Sequence, residues 1–381
     1  MANTLTNLIP IIYMALDIVA REMIGFIPAA FRNAGADRVA VGQTVNYPIV
    51  PPIVAGNITP ASIPPDDGDM VVGNGTLTIS KSMYAPIRWT GEEEKAVSGT
   101  GIMQQVIVQQ FAQAIRTLVN LIEVDLAATY INASRAVGTA GAAPFGTAGD
   151  FTDFANSLQV LDDNGAPLGD RHLVLGSAAI SNIRGKQSVL FKINEAGTAD
   201  LLRQGIIGRV EGFDIHNSAA IPIGVAKGTG AGYVVNFAAG YPVGATAITV
   251  GTGSGTILAG DTVTFAGDTN RYVTTGLSGT TLTLALPGLK KPVANTIAVT
   301  VGANYTPNMF FVRDAVHLLT RLPAMPDGGD SSTDVTEITD PVSGLVFQVA
   351  RYNQYRRVRM EVGIAWGVKV VKPDFVGLLL G

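Results

Sequence analysis

The longest regular pattern in the chain lies between residues 102 and 132, where apolar residues recur every three or four positions. This spacing predicts an amphipathic spine helix over Ile102 to Asn132, roughly 45 Å long at the α-helical rise, which is enough to cross a domain. The apolar stripe consists of Ile107, Phe111, Ile115, Leu118, Ile122, Leu126 and Tyr130. The opposite stripe consists of Gln105, Gln109, Gln113, Arg116, Asn120 and Glu123. Because that stripe is mostly amides, a coiled coil is not favoured, and we expect the helix to lie on a sheet.

Few charged residues accompany a large apolar fraction in this chain of 381 residues. Only 15% are charged and 47% are hydrophobic, whereas about 25% are charged in an average soluble domain. This shortage predicts that other subunits cover part of the surface, which favours an oligomer. A formal net charge of -4 argues against nucleic-acid affinity based on overall charge. The lack of cysteine excludes disulfides, thiolate metal sites and thiol catalysis.

The N-terminal stretch is apolar, but charged side chains interrupt it. Within residues 1–31 these are Asp17, Arg21 and Glu22. Because no basic segment precedes the run, it fits neither a signal peptide nor a membrane span. We predict an N-terminal arm over residues 1–38 that carries a short amphipathic helix.

Short alternating runs separated by proline and glycine replace the helical pattern between residues 39 and 97. They predict one extended β-hairpin with a long tip. A loop of this length is hard to bury within its own domain, so we expect it to lie on another subunit. Residues 98–149 then hold the spine helix and a peripheral domain that ends in a Gly/Ala-rich joint.

The segment 150–237 is predicted to form an α/β core. A short helix is expected over residues 151–161, a buried strand over 172–175 and paired strands over 201–222.

A change of pattern marks the segment 238–303, where short period-two strands alternate with glycine turns. This pattern is typical of a small β-barrel or sandwich inserted into a larger domain. Core strands return over residues 304–381, beginning with a strand that runs into a short apolar helix over 310–322. The predicted fold class is therefore α+β, with an inserted β-domain.

The sequence contains no evident catalytic, cofactor-binding or metal-binding constellation. Its three histidines, His172, His216 and His317, are more than forty residues apart, and we interpret each as an ordinary packed or surface residue. Glycines over 228–232 imitate a phosphate loop, but a strand follows where a helix is required. The acidic stretch Asp66–Asp69 lacks the spacing of a calcium loop. We predict a protein that is not an enzyme and has no cofactor.

Two charged clusters are candidates for contacts between subunits. A basic cluster is interleaved with Tyr352 and Tyr355 and could stack on nucleic acid, but without a wider basic patch we favour ion pairing to a neighbouring subunit. An acidic cluster before the spine helix could favour the helix N-terminus or pair with another subunit. Together with residues of the predicted hairpin, the candidates are Lys81, Arg88, Trp89, Glu92, Glu93, Glu94, Arg351, Arg356, Arg357 and Arg359.

A resemblance to a known family rests on three short segments, taken in their order along the chain. They are Gly205 to Ile215, Asn308 to Ala315 and Trp366 to Pro373. They resemble, in turn, a central strand pair, a strand with a short helix and the closing strand of the major capsid proteins of tailed bacteriophages. Those proteins have the Hong Kong 97-type capsid fold. The predicted β-domain makes podovirus coat proteins with an insertion domain the nearest match.

This resemblance implies a shell protein that assembles into pentamers and hexamers around double-stranded DNA, with little specific DNA contact and no membrane contact. It implies scaffolding, portal and decoration proteins as candidate partners. It also implies a place in the virion, with assembly in the cytoplasm of a host bacterium. Two alternatives stay open: an encapsulin-like nanocompartment shell that encloses an enzyme, and a surface protein whose β-domain binds glycans through Tyr241, Phe265 and Tyr272.

Overall fold

The computed structural model describes residues 24–50, 70–98, 103–187, 208–340 and 343–381, together with single residues between 53 and 63. Three predicted features lie outside the described residues, namely arm residues 1–23, the acidic tip Asp66–Asp69 and the start of the strand pair at 201–207. The helices are α1 (Phe26–Ala29), α2 (Gly91–Ser98), α3 (Met103–Ala127), α4 (Thr152–Asp163) and α5 (Ser177–Lys186). Short 3-10 helices span Ala128–Asn132, Arg313–Ala315 and Pro373–Phe375.

Strands make up most of the remaining regular structure. In chain order they are β1 (Phe31–Val39), β2 (Thr44–Ile49), β3 (Gly73–Thr78), β4 (Lys81–Thr90), β5 (Arg135–Gly138), β6 (Arg171–Leu175), β7 (Arg209–Val210), β8 (Phe213–Asn217), β9 (Tyr233–Val235), β10 (Ala247–Gly251), β11 (Thr262–Phe265), β12 (Arg271–Ser278), β13 (Thr281–Leu284), β14 (Ala298–Val301), β15 (Pro307–Val312), β16 (Val316–Pro323), β17 (Asp334–Thr339), β18 (Val346–Gln354), β19 (Arg357–Val370) and β20 (Val376–Leu380). Helices and strands are thus both present in one chain, as the α+β prediction requires.

The first sheet is organised around the long strand β19. This strand pairs with β4 along residues 357–366, with β18 along 357–363 and with β16 along 365–370. Strand β1 then pairs with β16, and β17 pairs with β18. Residues 362–367 of β19 are all buried. Such a continuous apolar run is typical of a strand that is covered on both faces.

The spine helix α3 covers one face of this sheet and contacts both β4 and β19. Most of its apolar stripe is buried, and Phe111, Ile115 and Ile122 share one core with Ile364 and Trp366 of β19. After Ala127 the helix tightens into the 3-10 turn that ends at Asn132. The predicted range of 102–132 therefore matches the helix together with its terminal turn.

The second sheet runs in the order β7-β8-β6-β15-β20-β5-β12 and continues into the strands of the predicted β-domain. Helices α4 and α5 pack on one face of it, where Phe154, Leu161, Ile180 and Ile183 share a core with Phe310. The other face lies in the same core as the spine helix, through residues such as Met309 and Phe311.

Six strands of the second sheet form a closed ring. The pairing runs β12-β11-β14-β9-β10-β13 and returns to β12, and the ring encloses its own apolar core, which includes Val235, Ile248 and Phe265. We refer to this six-stranded ring as the barrel. Its strand β9 (Tyr233–Val235) precedes the segment 238–303 that is predicted as the β-domain. Strand β12, which contains the register shift near Gly276, joins the barrel to β5.

Two other predictions are wrong in detail. The hairpin predicted over 39–97 is shorter, because only β2 and β3 pair with each other while β4 pairs with β19. The short apolar helix predicted within 310–322 is instead a 3-10 turn followed by β16. Strand β16 is paired on both sides, and a short apolar run of this kind cannot be told from a buried helix by periodicity. In the part of the chain described, no helix is both long enough and apolar enough to span a membrane.

Candidate subunit-contact surfaces and a histidine cluster

The β2–β3 hairpin is fixed to the first sheet at its base. Its strands pair in register from Thr44 opposite Thr78 to Ile49 opposite Gly73. A small separate core at the base contains Leu77, Ile79, Leu319 and Ala365. Gly367 of β19 permits the close approach, because an added Cβ there would collide with the carbonyl oxygen of Thr78.

The described residues of the hairpin tip, which lie within 49–72, are exposed, and many of them are apolar. The described residues there with large exposed apolar side chains are Ile49, Val50, Ile53, Ile58, Ile63, Met70, Val71 and Val72. Ile58 is 99% exposed. Single exposed apolar residues are normal on a protein surface, but such a concentration in one projecting segment marks an interaction surface. These residues are therefore candidates for a contact with another molecule.

Asp125, near the end of the spine helix, ties that helix to the first sheet. Its Oδ1 accepts a hydrogen bond from Lys81 Nζ at 2.7 Å, and its Oδ2 accepts one from Trp366 Nε1 at 2.8 Å. Lys81, predicted as a hairpin residue that contacts another subunit, opens β4 and forms this ion pair within its own chain.

The acidic cluster lies on α2, which is a separate helix before the spine helix. Thr90 and Glu93 form a reciprocal cap, since Thr90 N donates to Glu93 Oε2 at 2.8 Å and Glu93 N donates to Thr90 Oγ1 at 3.2 Å. The hydrogen bonds from Thr90 hold the pKa of Glu93 below its usual value. Glu92 and Glu94 are exposed beside this cap. The helix N-terminus that Glu93 caps is therefore that of α2 and not, as predicted, that of the spine helix.

The basic cluster lies at the turn between β18 and β19, next to α2. Gly91 N donates to the carbonyl oxygen of Arg356 at 3.0 Å, which brings the two predicted clusters to one corner of the molecule. Arg356 adopts a positive φ of 54° in this turn, and Arg356, Arg357 and Arg88 are exposed. Trp89, by contrast, donates from Nε1 to Gln110 Oε1 at 2.8 Å on the spine helix.

Of the remaining basic candidates, Arg359 has partners within the sheet. Arg359 Nη2 pairs with Glu361 Oε2 at 2.7 Å, and its guanidinium lies over the Tyr84 ring at 5.1 Å. Arg351 is half-buried. The Tyr352 hydroxyl, considered as a stacking surface for nucleic acid, lies 2.7 Å from Asp330 Oδ2, and burial followed by this hydrogen bond raises its pKa.

A buried carboxylate anchors the N-terminal segment on the spine helix. Glu123 Oε1 accepts hydrogen bonds from Gly25 N at 2.6 Å, Phe26 N at 2.7 Å and Ser218 Oγ at 2.8 Å, while Oε2 accepts one from Ile27 N at 3.1 Å. Burial raises the pKa of Glu123, although these hydrogen bonds oppose the shift. Sequence reasoning placed Glu123 on the polar stripe.

A signal in the sequence could have revealed the burial of Glu123. Its neighbours four residues before and three residues after, Val119 and Leu126, are apolar, and positions with that spacing share one face of a helix. The acidic side chain therefore lies at the margin of the buried stripe and not in the middle of the amide stripe.

Two of the three histidines are in contact with each other. This contact could not be predicted from the sequence. His172 of β6 and His216 of β8 lie on neighbouring parallel strands, and His172 Nδ1 is 3.0 Å from His216 Nε2. Burial lowers the pKa of both rings, that of His216 to about 4. His317 stays apart, with its ring packed against Phe31 at 4.7 Å between centroids.

Charged groups surround the histidine pair. Arg313 Nη2 lies 3.1 Å from His172 Nε2, and Arg313 Nε lies 3.2 Å from Asp170 Oδ2. Potential ligand atoms of Asp170, His172 and Asp214 all lie within 4.8 Å of one another. We refer to Asp170, His172, Asp214, His216 and Arg313 as the histidine cluster.

The aromatic residues suggested for glycan binding are mostly internal to the barrel. Phe265 and Tyr272 are each 1% exposed and belong to its core. Tyr241 is half-buried, and its hydroxyl donates to Thr249 Oγ1 at 2.9 Å. Two of the three residues are thus unable to offer a stacking surface to a sugar.

Comparison with known proteins gives structural similarities only. No family model matches the chain, and no curated protein matches it. The chain is similar to the capsid of cyanophage P-SCSP1u (12% identity, 92% of this chain and 86% of that chain covered, TM-score 0.48). It is also similar to the mature capsid of bacteriophage PhiM1 (11%, 93% and 86%, 0.46) and to a virus-like particle from Pyrococcus furiosus (8%, 97% and 98%, 0.43). At these identities and TM-scores, the role of the chain has to be argued from its own residues.

Proposed function

We propose that this chain is the major capsid protein of a tailed bacteriophage, which assembles with copies of itself into an icosahedral shell. The observation that carries the proposal is the hairpin tip, residues 49–72, whose apolar side chains are exposed while its base is fixed to the sheet. Projecting apolar surface of this kind is stabilised when a neighbouring subunit covers it. The role is structural, and binding energy between copies takes the place of catalysis.

The proposed assembly consists of pentamers and hexamers that enclose double-stranded DNA. A net charge of -4 supports little specific contact with that DNA. Scaffolding, portal and decoration proteins are candidate partners. The location is the virion, and assembly takes place in the cytoplasm of the host bacterium. The ring of β9 to β14, with its own core, supports the interpretation of this region as an inserted domain like that of podovirus coat proteins.

Charged contacts between subunits are proposed for the candidates that remain exposed. These are Arg88, Glu92, Glu94, Arg356 and Arg357. Opposite charges at one corner could pair with the same corner of a neighbour, although exposed ion pairs contribute only about 0 to 1 kcal/mol each. Lys81, Trp89, Glu93 and Arg359 have partners within the chain, so we assign their main role to the subunit itself.

Assembly can be tested with the expressed chain by sedimentation velocity and electron microscopy. We expect closed particles from the wild-type chain, and their loss in the double variant Ile58→Asp/Ile63→Asp, because two buried charges would disrupt an apolar contact. The matched control is Ile223→Asp, at an exposed isoleucine outside the hairpin, which should still assemble. A wild-type chain that stays monomeric at high concentration, or a double variant that assembles normally, would contradict the proposal.

The encapsulin-like alternative is separated from the phage capsid by the contents of particles purified from their native source. Double-stranded DNA inside the particles supports the capsid function. Particles that instead enclose an enzyme and lack DNA would support the nanocompartment and overturn the phage assignment.

A further inference from the structure

The histidine cluster lies where three neighbouring strands of the second sheet come together. His172 is on β6, Asp214 and His216 are on β8, and Arg313 directly follows β15, which pairs with β6 on its other side. In the parallel register His172 stands opposite Asp214, so the two side chains share one face of the sheet. Asp170 precedes β6 and adopts a positive φ of 59°.

The donor atoms present suit a transition metal ion. Two carboxylates and one imidazole, with ligand atoms within 4.8 Å of one another, could converge on one ion after small side-chain movements. Imidazole and carboxylate ligands are typical of zinc and related divalent ions.

His216 positions the ring of His172. Its Nε2 lies 3.0 Å from Nδ1 of His172, which leaves Nε2 of His172 facing Asp170 Oδ1 at 3.4 Å. A histidine that binds a metal through one ring nitrogen commonly donates a hydrogen bond from the other, and this fixes both the tautomer and the ring orientation.

Arg313 is the positive charge that occupies the cluster in this structure. Its guanidinium contacts both Asp170 and His172 Nε2. The Arg313 side chain is about one-third exposed, so it can turn towards solvent. A metal ion would therefore compete with Arg313 for the same ligand atoms.

We propose that Asp170, His172 and Asp214 bind a divalent transition metal ion of the zinc class, with His216 as the positioning residue and Arg313 displaced. This site lies within one chain and does not depend on the proposed shell function. Binding would cross-link the ends of β6 and β8 and would fix the residues around Asp170.

The proposal is tested by titrating the full-length, chelator-treated protein with ZnCl2 by calorimetry and with CoCl2 by visible absorption, which reports the ligand geometry. We expect one ion per chain. Asp170→Asn and Asp214→Asn should each weaken binding at least ~10-fold, as should His216→Ala. Arg313→Gln should strengthen binding at least ~10-fold, because it removes the competing charge, which a merely structural role for the cluster does not predict.

His317→Ala is the matched control, since His317 is the histidine outside the cluster and should leave both titrations unchanged. The Asp170 and Asp214 variants keep the test informative if substitution of the buried His172 prevents folding. The proposal is overturned if neither the wild-type protein nor Arg313→Gln binds the ions. It is also overturned if binding survives in both aspartate variants, or if His317→Ala weakens it as much as they do.

Discussion

The two ends of the β2–β3 hairpin differ in the solvent exposure of their apolar side chains. At the base, Leu77 and Ile79 are buried against the sheet. At the tip, Ile58 and Ile63 are exposed although they belong to the same hairpin. The base is packed within one chain, whereas these two tip residues are not covered by it. Changes at the base and beneath it should therefore act on the stability of the subunit, and changes at the tip should act on assembly.

The largest effect on the subunit is expected from Trp366→Ala. Trp366 is fully buried in the core that the spine helix shares with the first sheet, and its Nε1 donates to Asp125. The loss of this side chain should lower the free energy of unfolding by about 3–5 kcal/mol, as measured by urea denaturation followed by circular dichroism. Tyr355→Ala, at a side chain that is 87% exposed, serves as the control and should change little. A small effect of Trp366→Ala would show that the spine helix is not tightly packed on the sheet beneath the hairpin base.

The next largest effect is expected from Glu123→Ala. This change leaves the amide groups of Gly25, Phe26 and Ile27 buried without their acceptor, at a cost of about 3 kcal/mol. Glu123→Gln should cost less, because one oxygen remains to accept. Equal stability of all three proteins in urea denaturation would mean that the N-terminal segment is held by other contacts.

Glu123 also predicts a pH dependence. Because burial raises its pKa in the folded protein, the native state binds more protons than the unfolded state between the ordinary and the raised pKa. The free energy of unfolding should therefore fall as the pH rises through that interval, and the fall should be smaller in Glu123→Gln. A wild-type pH profile that runs parallel to that of Glu123→Gln would assign the dependence to other groups.

Local sequence patterns predict the spine helix and much of the barrel. They do not predict features that depend on which strands pair with each other across long distances in the sequence. The stripe from Ile107 to Tyr130 gives the helix range directly, since its period is a property of the local chain. The alternation in β4 is the same whether its partner is β3 or β19, so the end of the hairpin cannot be found from the sequence. The meeting of His172 with His216 likewise depends on the pairing of β6 with β8.

A smaller effect is expected at the cap of α2. Glu93→Ala removes the side chain that accepts from Thr90 N, and the loss of one half of a reciprocal cap should lower the free energy of unfolding by about 0.5–1 kcal/mol. Glu92→Ala, one residue earlier and exposed, is the matched control and should leave the stability unchanged. If both variants lose the same stability, the helix dipole and not the cap accounts for the acidic cluster.

The smallest effect on the subunit is expected at the hairpin tip. Because Ile58 and Ile63 are exposed in the single chain, the double variant Ile58→Asp/Ile63→Asp should leave the free energy of unfolding of the dissociated subunit within about 0.5 kcal/mol of the wild-type value. The measurement is urea denaturation at a concentration at which sedimentation shows monomers of both proteins. A loss as large as that of Trp366→Ala would mean that the tip packs on its own subunit, and the contrast between base and tip would disappear. An unchanged subunit that no longer assembles would instead locate the binding energy of assembly in the tip.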